Sequence, residues 1–318
     1  MGFWGLFVLA SVVIMARLLT TIEEDRSMTR TYRGLVALCL AVALLAGIAA
    51  AFGVFARGDG STEEAVSIRG ERFEYVTSGV YKYNAERVVA EGAGWDAVTL
   101  FLAVPALLIA LPGIARGSLR ARLVALGLLG YLVYQYLMYS VYWALGPLFP
   151  LFIVLYPMAA AGIIWIVHTI DVGRLPERFS ARFPRRGMIA ASAAVGLLLI
   201  GMWSQRIVAG LRGDIDGILL GTPTLAIQAL DLGVVVPFAF LTAGLLYARR
   251  PSGFLLATAL AVKGVTMAAA ICAMLIVAAL VEGGLEVVPF AIFATVTLAF
   301  GWLAFRMFAS VKPDATQA

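Results

Sequence analysis

Apolar residues in this chain fall in long unbroken runs. Nine of them can be drawn, at about 3–20, 34–56, 96–115, 121–145, 148–170, 187–206, 225–248, 252–281 and 287–310. A run of about 18 residues or more is long enough to cross a bilayer as a helix. Helices satisfy their own backbone groups, which lipid cannot do. The strict alternation of a membrane barrel is absent. The pattern predicts an all-α polytopic transmembrane helix bundle of about nine spans.

Composition agrees with that pattern. Of 318 residues, 62% are hydrophobic and 14% are charged, against roughly 25% charged in an ordinary soluble domain. Mean hydropathy is +0.95. One core could not hide so much apolar surface, so lipid is the solvent for most of the chain. A cytosolic enzyme, a disulfide scaffold and a disordered tail are excluded. Cys39 and Cys272 both fall inside apolar runs, where cysteine behaves as a small hydrophobe.

The net charge of +5 would suit nucleic acid, but its distribution does not. The basic residues sit in short loops beside the apolar runs, where they orient helices. With the amino terminus outside, sixteen of the 24 Lys and Arg fall on the inner side and seven on the outer side, leaving Lys263 within a span. Arg116, Arg120 and Arg122 form one inner group; Arg174, Arg178, Arg182, Arg185 and Arg186 form another. A miscount of one helix would put Arg-rich loops on both faces. The carboxyl terminus is therefore expected inside, and the protein in the cell (cytoplasmic) membrane. No basic residue precedes the first apolar run, and its first charge is Arg17. It reads as a retained helix rather than a signal peptide.

Four regions follow: two leading helices (1–56), an outer loop (57–95), a seven-helix core (96–310) and a cytoplasmic tail (311–318). In the outer loop, Val66 to Tyr83 mixes β-branched, aromatic and charged residues and predicts a short hairpin. Asn84 reads as the N-cap of a short helix, Ala85 to Glu91, stopped at Gly92. A loop this long serves either as a lid or docking surface or as a solvated spacer.

From about Tyr81 to Leu280 the chain resembles an uncharacterised family of prokaryotic multi-pass membrane proteins. The residues that carry the likeness are Gly94-Trp95-Asp96-Ala97-Val98-Thr99-Leu100, Gly130-Tyr131-Leu132-Val133-Tyr134-Gln135-Tyr136, Pro147-Leu148-Phe149, Ala229-Leu230-Asp231-Leu232-Gly233 and Arg249-Arg250-Pro251-Ser252-Gly253-Phe254. The resemblance implies membrane residence and no particular reaction. On that comparison the two leading helices are an addition.

Asp231 and Lys263 carry the strongest chemical signal. Counting along antiparallel helices puts them at depths that differ by roughly 4 to 6 Å, within reach of a lysine side chain. An ionised residue at mid-membrane costs at least about 2.5 to 3.5 kcal/mol, so each needs a partner or a wet cavity. The pair is expected to meet directly, as a ligand, ion or proton site or as a plain ion pair locking two helices. Gln228 shares the helix face of Asp231. Pro237 removes a backbone donor and frees the carbonyl of Gly233. Thr266 lies three residues from Lys263. Tyr131, Gln135, Tyr139 and Tyr142 recur at helical spacing on one face, with Tyr134 adjacent. They either wall the same pocket or pack the bundle.

Weaker signals have plainer explanations. Asp96 opens the third predicted span, where a first-turn carboxylate suits the helix dipole. His168 beside Asp171 reads as an interfacial residue. Asp214-Ile215-Asp216-Gly217 could hold a divalent cation, but the rest of a calcium loop is missing. No H-E-x-x-H, phosphate-binding loop or G-x-S-x-G elbow is present. A retinal Schiff base on Lys263 is disfavoured, because that residue is in the sixth helix of the core rather than the last.

The leading expectation is a binding or transport protein. Its pocket for a small anionic or proton-coupled ligand would be formed by Asp231, Lys263, Gln228, Tyr131, Gln135 and Tyr139. No cofactor or metal is expected, and the partners are the bilayer and a small ligand or lipid in the bundle. One rival is an intramembrane enzyme on a lipid-soluble substrate, with Asp231 as general base. The other is an assembly protein in which the charge pair is only a lock.

Overall fold

In the computed structural model, residues 28–214, 219, 222 and 224–313 are described. The first predicted span, 3–20, lies outside them, as do Asp216 and Gly217. Eight helices long and apolar enough to cross a membrane account for the other eight runs. They are α1 (Met28–Phe55), α2 (Glu86–Ala115), α3 (Leu119–Tyr142), α4 (Phe149–His168), α5 (Arg185–Leu211), α6 (Ala226–Tyr247), α7 (Pro251–Glu282) and α8 (Val287–Ala309). The chain is a multi-pass helical membrane protein.

Helix α7 is the hub, packed against α2, α3, α6 and α8. Helix α3 is the most enclosed, between α2, α4 and α7, and α1 closes the far side on α2 and α4. Helix α8 leans on α7 and only brushes α5. Leu123, Leu129, Tyr131, Tyr136 and Trp165 are wholly buried at the centre. Leu44, Ile109, Leu197, Leu298 and Phe305 point outward, as expected where lipid is the solvent.

The Arg-rich loops converge at one end. There Arg122 donates to the carbonyl and hydroxyl oxygens of Thr169, and its guanidinium lies over the Tyr32 ring. Arg120 donates to the Val311 carbonyl, Lys312 N–H donates to the Arg178 carbonyl, and Arg185 donates to the Leu246 carbonyl. The arginines add donors to carbonyls at or just beyond helix ends, where intrahelical donors run out.

At the opposite end, β1 (Thr62–Val66) pairs antiparallel with β2 (Arg72–Val76), Glu64 facing Glu74. The expected hairpin is present, but its first strand starts at Thr62 rather than Val66. Residues 62–66 are exposed on nearly every side, so no apolar alternation marked them. Gly70 closes the turn at φ +90°, a conformation that glycine adopts without strain. Arg69 reaches from this turn to the Thr222 carbonyl, 2.9 Å, tying the hairpin to the loop before α6.

The segment after the hairpin corrects two expectations. Asn84 does not cap a short helix. Its Oδ1 accepts from Ala144 N–H at 2.9 Å and its Nδ2 donates to the Tyr81 carbonyl at 3.0 Å, so it staples the outer segment to the end of α3. Nor does the helix stop at Gly92. It runs from Glu86 to Ala115, so the outer segment ends near 85 and Asp96 lies ten residues inside a helix. Gly92 and Gly94 serve packing. A Cβ at Gly92 would fall 2.0 Å from the Trp143 ring, and one at Gly94 2.3 Å from the backbone nitrogen of Met274. The helix core comes close to its neighbours because these positions are bare, the usual device of membrane helix contacts.

Candidate functional site

Two prolines shape the bundle interior. Pro237 has no N–H, and its ring would strike the carbonyl four residues back in a regular helix. Helix α6 responds with a wide turn over Asp231–Val235, in which Val236 N–H donates to the Asp231 carbonyl five residues earlier. Helix α2 does the same over Thr99–Ala103 ahead of Pro105, with Val104 N–H donating to Thr99. Each wide turn carries an inward residue at its start, Asp231 in one and Thr99 in the other. Such turns often mark functional positions.

A cavity of about 420 Å³ opens between α2, α3, α5, α6, α7 and α8. Its walls are apolar and rich in methionine and aromatic side chains, including Met138, Met202, Met274, Trp95 and Phe293. At the rim Arg87 binds Glu91 at 3.1 Å, Glu282 at 3.4 Å and Glu286 at 2.6 Å, with Arg206 also on the rim. Helices α5 and α8 meet near the basic end, where a Cβ on Gly187 would lie 2.8 Å from Leu303. Towards the rim both line the cavity, through Val195, Leu198 and Met202 on α5 and Val296, Phe293 and Pro289 on α8.

Asp231 and Lys263 both line this cavity, yet they form no ion pair within 4 Å. The carboxylate is 4% exposed and both its oxygens are occupied. Tyr134 hydroxyl donates to Oδ1 at 2.6 Å and Trp203 indole N–H donates to Oδ2 at 2.8 Å. The Lys263 ammonium lies 4.4 Å from the centre of the Tyr134 ring and 2.9 Å from the Met267 sulfur. The expected direct meeting is thus replaced by an aromatic bridge: acid, tyrosine, then ammonium on the ring face, an arrangement that favours a cation. Depth along the helices brings two charges to one level but does not fix which side chain stands between them.

Gln228 lines the cavity near Asp231, and its amide makes no hydrogen bond to another described residue. Tyr139 and Tyr142 line it too. Tyr131 and Gln135 do not. They lie behind Trp95, whose ring stacks on Tyr131 at 5.9 Å and on Tyr134 at 6.2 Å. There they belong to a second polar centre around Asp96, which has no exposed surface. Tyr81 donates to Asp96 Oδ2; Tyr139 and Gln135 donate to Oδ1, each at 3.3 Å. Gln135 in turn accepts from Thr99 at 2.6 Å, and Thr99 and Tyr131 hydroxyls are 2.9 Å apart. Asp96 is therefore a buried centre rather than a first-turn carboxylate. Burial and the Asp96 carboxyl together push the Tyr81 hydroxyl well above its ordinary pKa, so it stays a donor.

Thr266 donates to carbonyls of its own helix, and His168 Nδ1 sits 2.8 Å from the Ile164 carbonyl; neither reaches the cavity. Sequence reasoning misses Trp203 and places Tyr134 only beside the tyrosine face, not in the pocket. Tyr134 recurs three residues after Tyr131 and so was visible as part of a tyrosine-rich helix. No pattern around Trp203 singles it out. No family model matches the chain, and neither the curated proteins nor the solved structures yield a match.

Proposed function

We propose that the chain binds, and in a transport cycle releases, a small amphipathic molecule with an anionic head, and that it does so in the cell membrane with its basic end cytoplasmic. The observation that carries this reading is the setting of Lys263. Its ammonium faces the cavity, its one hydrogen-bond partner among described residues is a thioether, and the nearest carboxylate is already bonded by Tyr134 and Trp203. A thioether is a weak acceptor, and an ammonium at membrane depth gains most from an anion beside it. The apolar, methionine-rich walls suit an adaptable hydrophobic tail. The slight contact between α5 and α8 suits entry from the lipid side.

The enzyme reading is less well supported. A general base needs a lone pair directed at its substrate, and bonds from Tyr134 and Trp203 already take one lone pair of each Asp231 oxygen. The lock reading requires a direct pair, which the aromatic bridge replaces.

Tryptophans 95 and 203 line the cavity, so their fluorescence reports occupancy. In nanodiscs of neutral lipid, a medium-chain alkyl carboxylate is expected to quench them saturably, and the alcohol of equal length to bind at least tenfold more weakly. Lys263→Gln should abolish the difference. Equal binding of acid and alcohol by the unaltered protein would overturn the reading.

A further inference from the structure

A second concavity of about 400 Å³ lies at the basic end, between the start of α5 and the end of α8. It is lined by Phe183, Pro184, Arg185, Arg186, Gly187, Trp302 and Arg306. Among the described residues three cations line it and no acidic side chain does. Arg185 spends one donor on the Leu246 carbonyl. Arg186 and Arg306 are exposed and make no ion pair among the described residues. The Arg306 guanidinium lies 5.1 Å from the centre of the Trp302 ring, a stacking contact that steadies it.

We infer that this groove seats the phosphate of an anionic glycerophospholipid, with the acyl chains lying along the outer face of α8. Guanidinium groups match phosphate oxygens in pairs, and basic pockets between helix ends are suited to anionic headgroups. The choice of a lipid over a soluble phosphate rests on what borders the groove. Trp302 is 56% exposed, Phe305 71% and Leu298 75%, so an apolar strip runs from the arginines towards the middle of α8. Tryptophan at this depth belongs to the headgroup region. A headgroup at the arginines would place its chains on that strip.

The site is tested by thermal unfolding of the full chain in nanodiscs of phosphatidylcholine alone or with one-fifth phosphatidylglycerol. Phosphatidylglycerol is expected to raise the midpoint by several degrees. Arg186→Gln with Arg306→Gln should remove most of that rise. Arg33→Gln with Arg116→Gln takes the same charge from other helices and should leave the rise intact. Native mass spectrometry should then show fewer retained phosphatidylglycerol molecules on the first pair only. Equal loss in both pairs would reduce the effect to diffuse charge and sink the proposal. So would an equal rise from millimolar inorganic phosphate in phosphatidylcholine discs, which would make the groove a phosphate site without lipid. If the first pair does not fold, Arg306→Lys keeps the charge, loses the paired geometry and should halve the rise or more; an unchanged rise would count against the proposal.

Discussion

Lys263 rests its ammonium on the face of Tyr134, 4.4 Å from the ring centre, while the hydroxyl of the same ring donates to Asp231. One side chain therefore contacts both charges and keeps them apart. Two substitutions separate its roles. Tyr134→Phe keeps the ring and loses a bond to a charged acceptor, which should lower stability by about 1.5 to 3 kcal/mol. Tyr134→Leu also removes the ring face and should cost roughly 0.5 to 2 kcal/mol more. Thermal or denaturant unfolding in nanodiscs measures both; equal losses would mean that the ring face contributes nothing.

Exchange of the two charges is expected to fail. In the double variant Asp231→Lys, Lys263→Asp, the new ammonium would face the Tyr134 hydroxyl and the Trp203 indole, both of which present protons to that position. Size-exclusion profiles of the purified double variant should show aggregation or loss of yield comparable with the worse single variant. A monodisperse, stable double variant would restore the simple lock.

Gly94 sits where α2 touches the backbone of α7. An added Cβ would meet the Met274 nitrogen at 2.3 Å, and a helix backbone cannot swing aside as a side chain can. Gly94→Ala should therefore destabilise by about 1 to 3 kcal/mol, and Gly94→Leu should prevent recovery of folded protein. Gly201→Ala, where no neighbour stands within 4 Å, is the matched control and should be neutral or slightly stabilising.

The hairpin should loosen in acid before the bundle does. Hydrogen bonds from Ser78 and Ser61 hold the Asp59 carboxyl below its ordinary value. Arg69 foremost, and then Ser67, do the same for Glu71. Groups depressed in the folded state stabilise it above their unfolded pKa, about 4, and that stabilisation fades as pH falls through the folded values. Amide exchange across Thr62–Val76 should rise between neutral pH and pH values below about 4, relative to the intrinsic rate, while α3 stays protected. Unchanged protection in the hairpin would show that these bonds do not hold it.

Much of this architecture was legible in the sequence because lipid demands it. The eight described spans match their apolar runs to within a few residues, except that α2 begins ten residues early. That miss has a physical cause: Gly92 and Gly94 look like helix breakers in water, but in a membrane they mark close contact. Arginine placement likewise foretold which loops gather at one end. Asp231, Lys263 and Gln228 stood out because polar groups are costly in lipid. Tyr134 and Trp203 did not, since an aromatic residue in an apolar run looks like packing until its polar atom is seen to have a partner. Depth counting also could not assign Tyr131 and Gln135 to the Asp96 centre, because that division depends on the rotation of Trp95.

The widened turn in α6 has a last consequence. It absorbs one residue beyond a regular spiral, so the stretches before and after it keep the facing they would have if that residue were missing. Removing a single residue from 232–235 would restore ordinary winding and leave Gln228 and Asp231 aimed as they are. Forcing the full stretch into a regular helix would instead turn the acid by about 100° relative to everything that follows, away from Tyr134. The wide turn therefore sets the aim of the carboxylate.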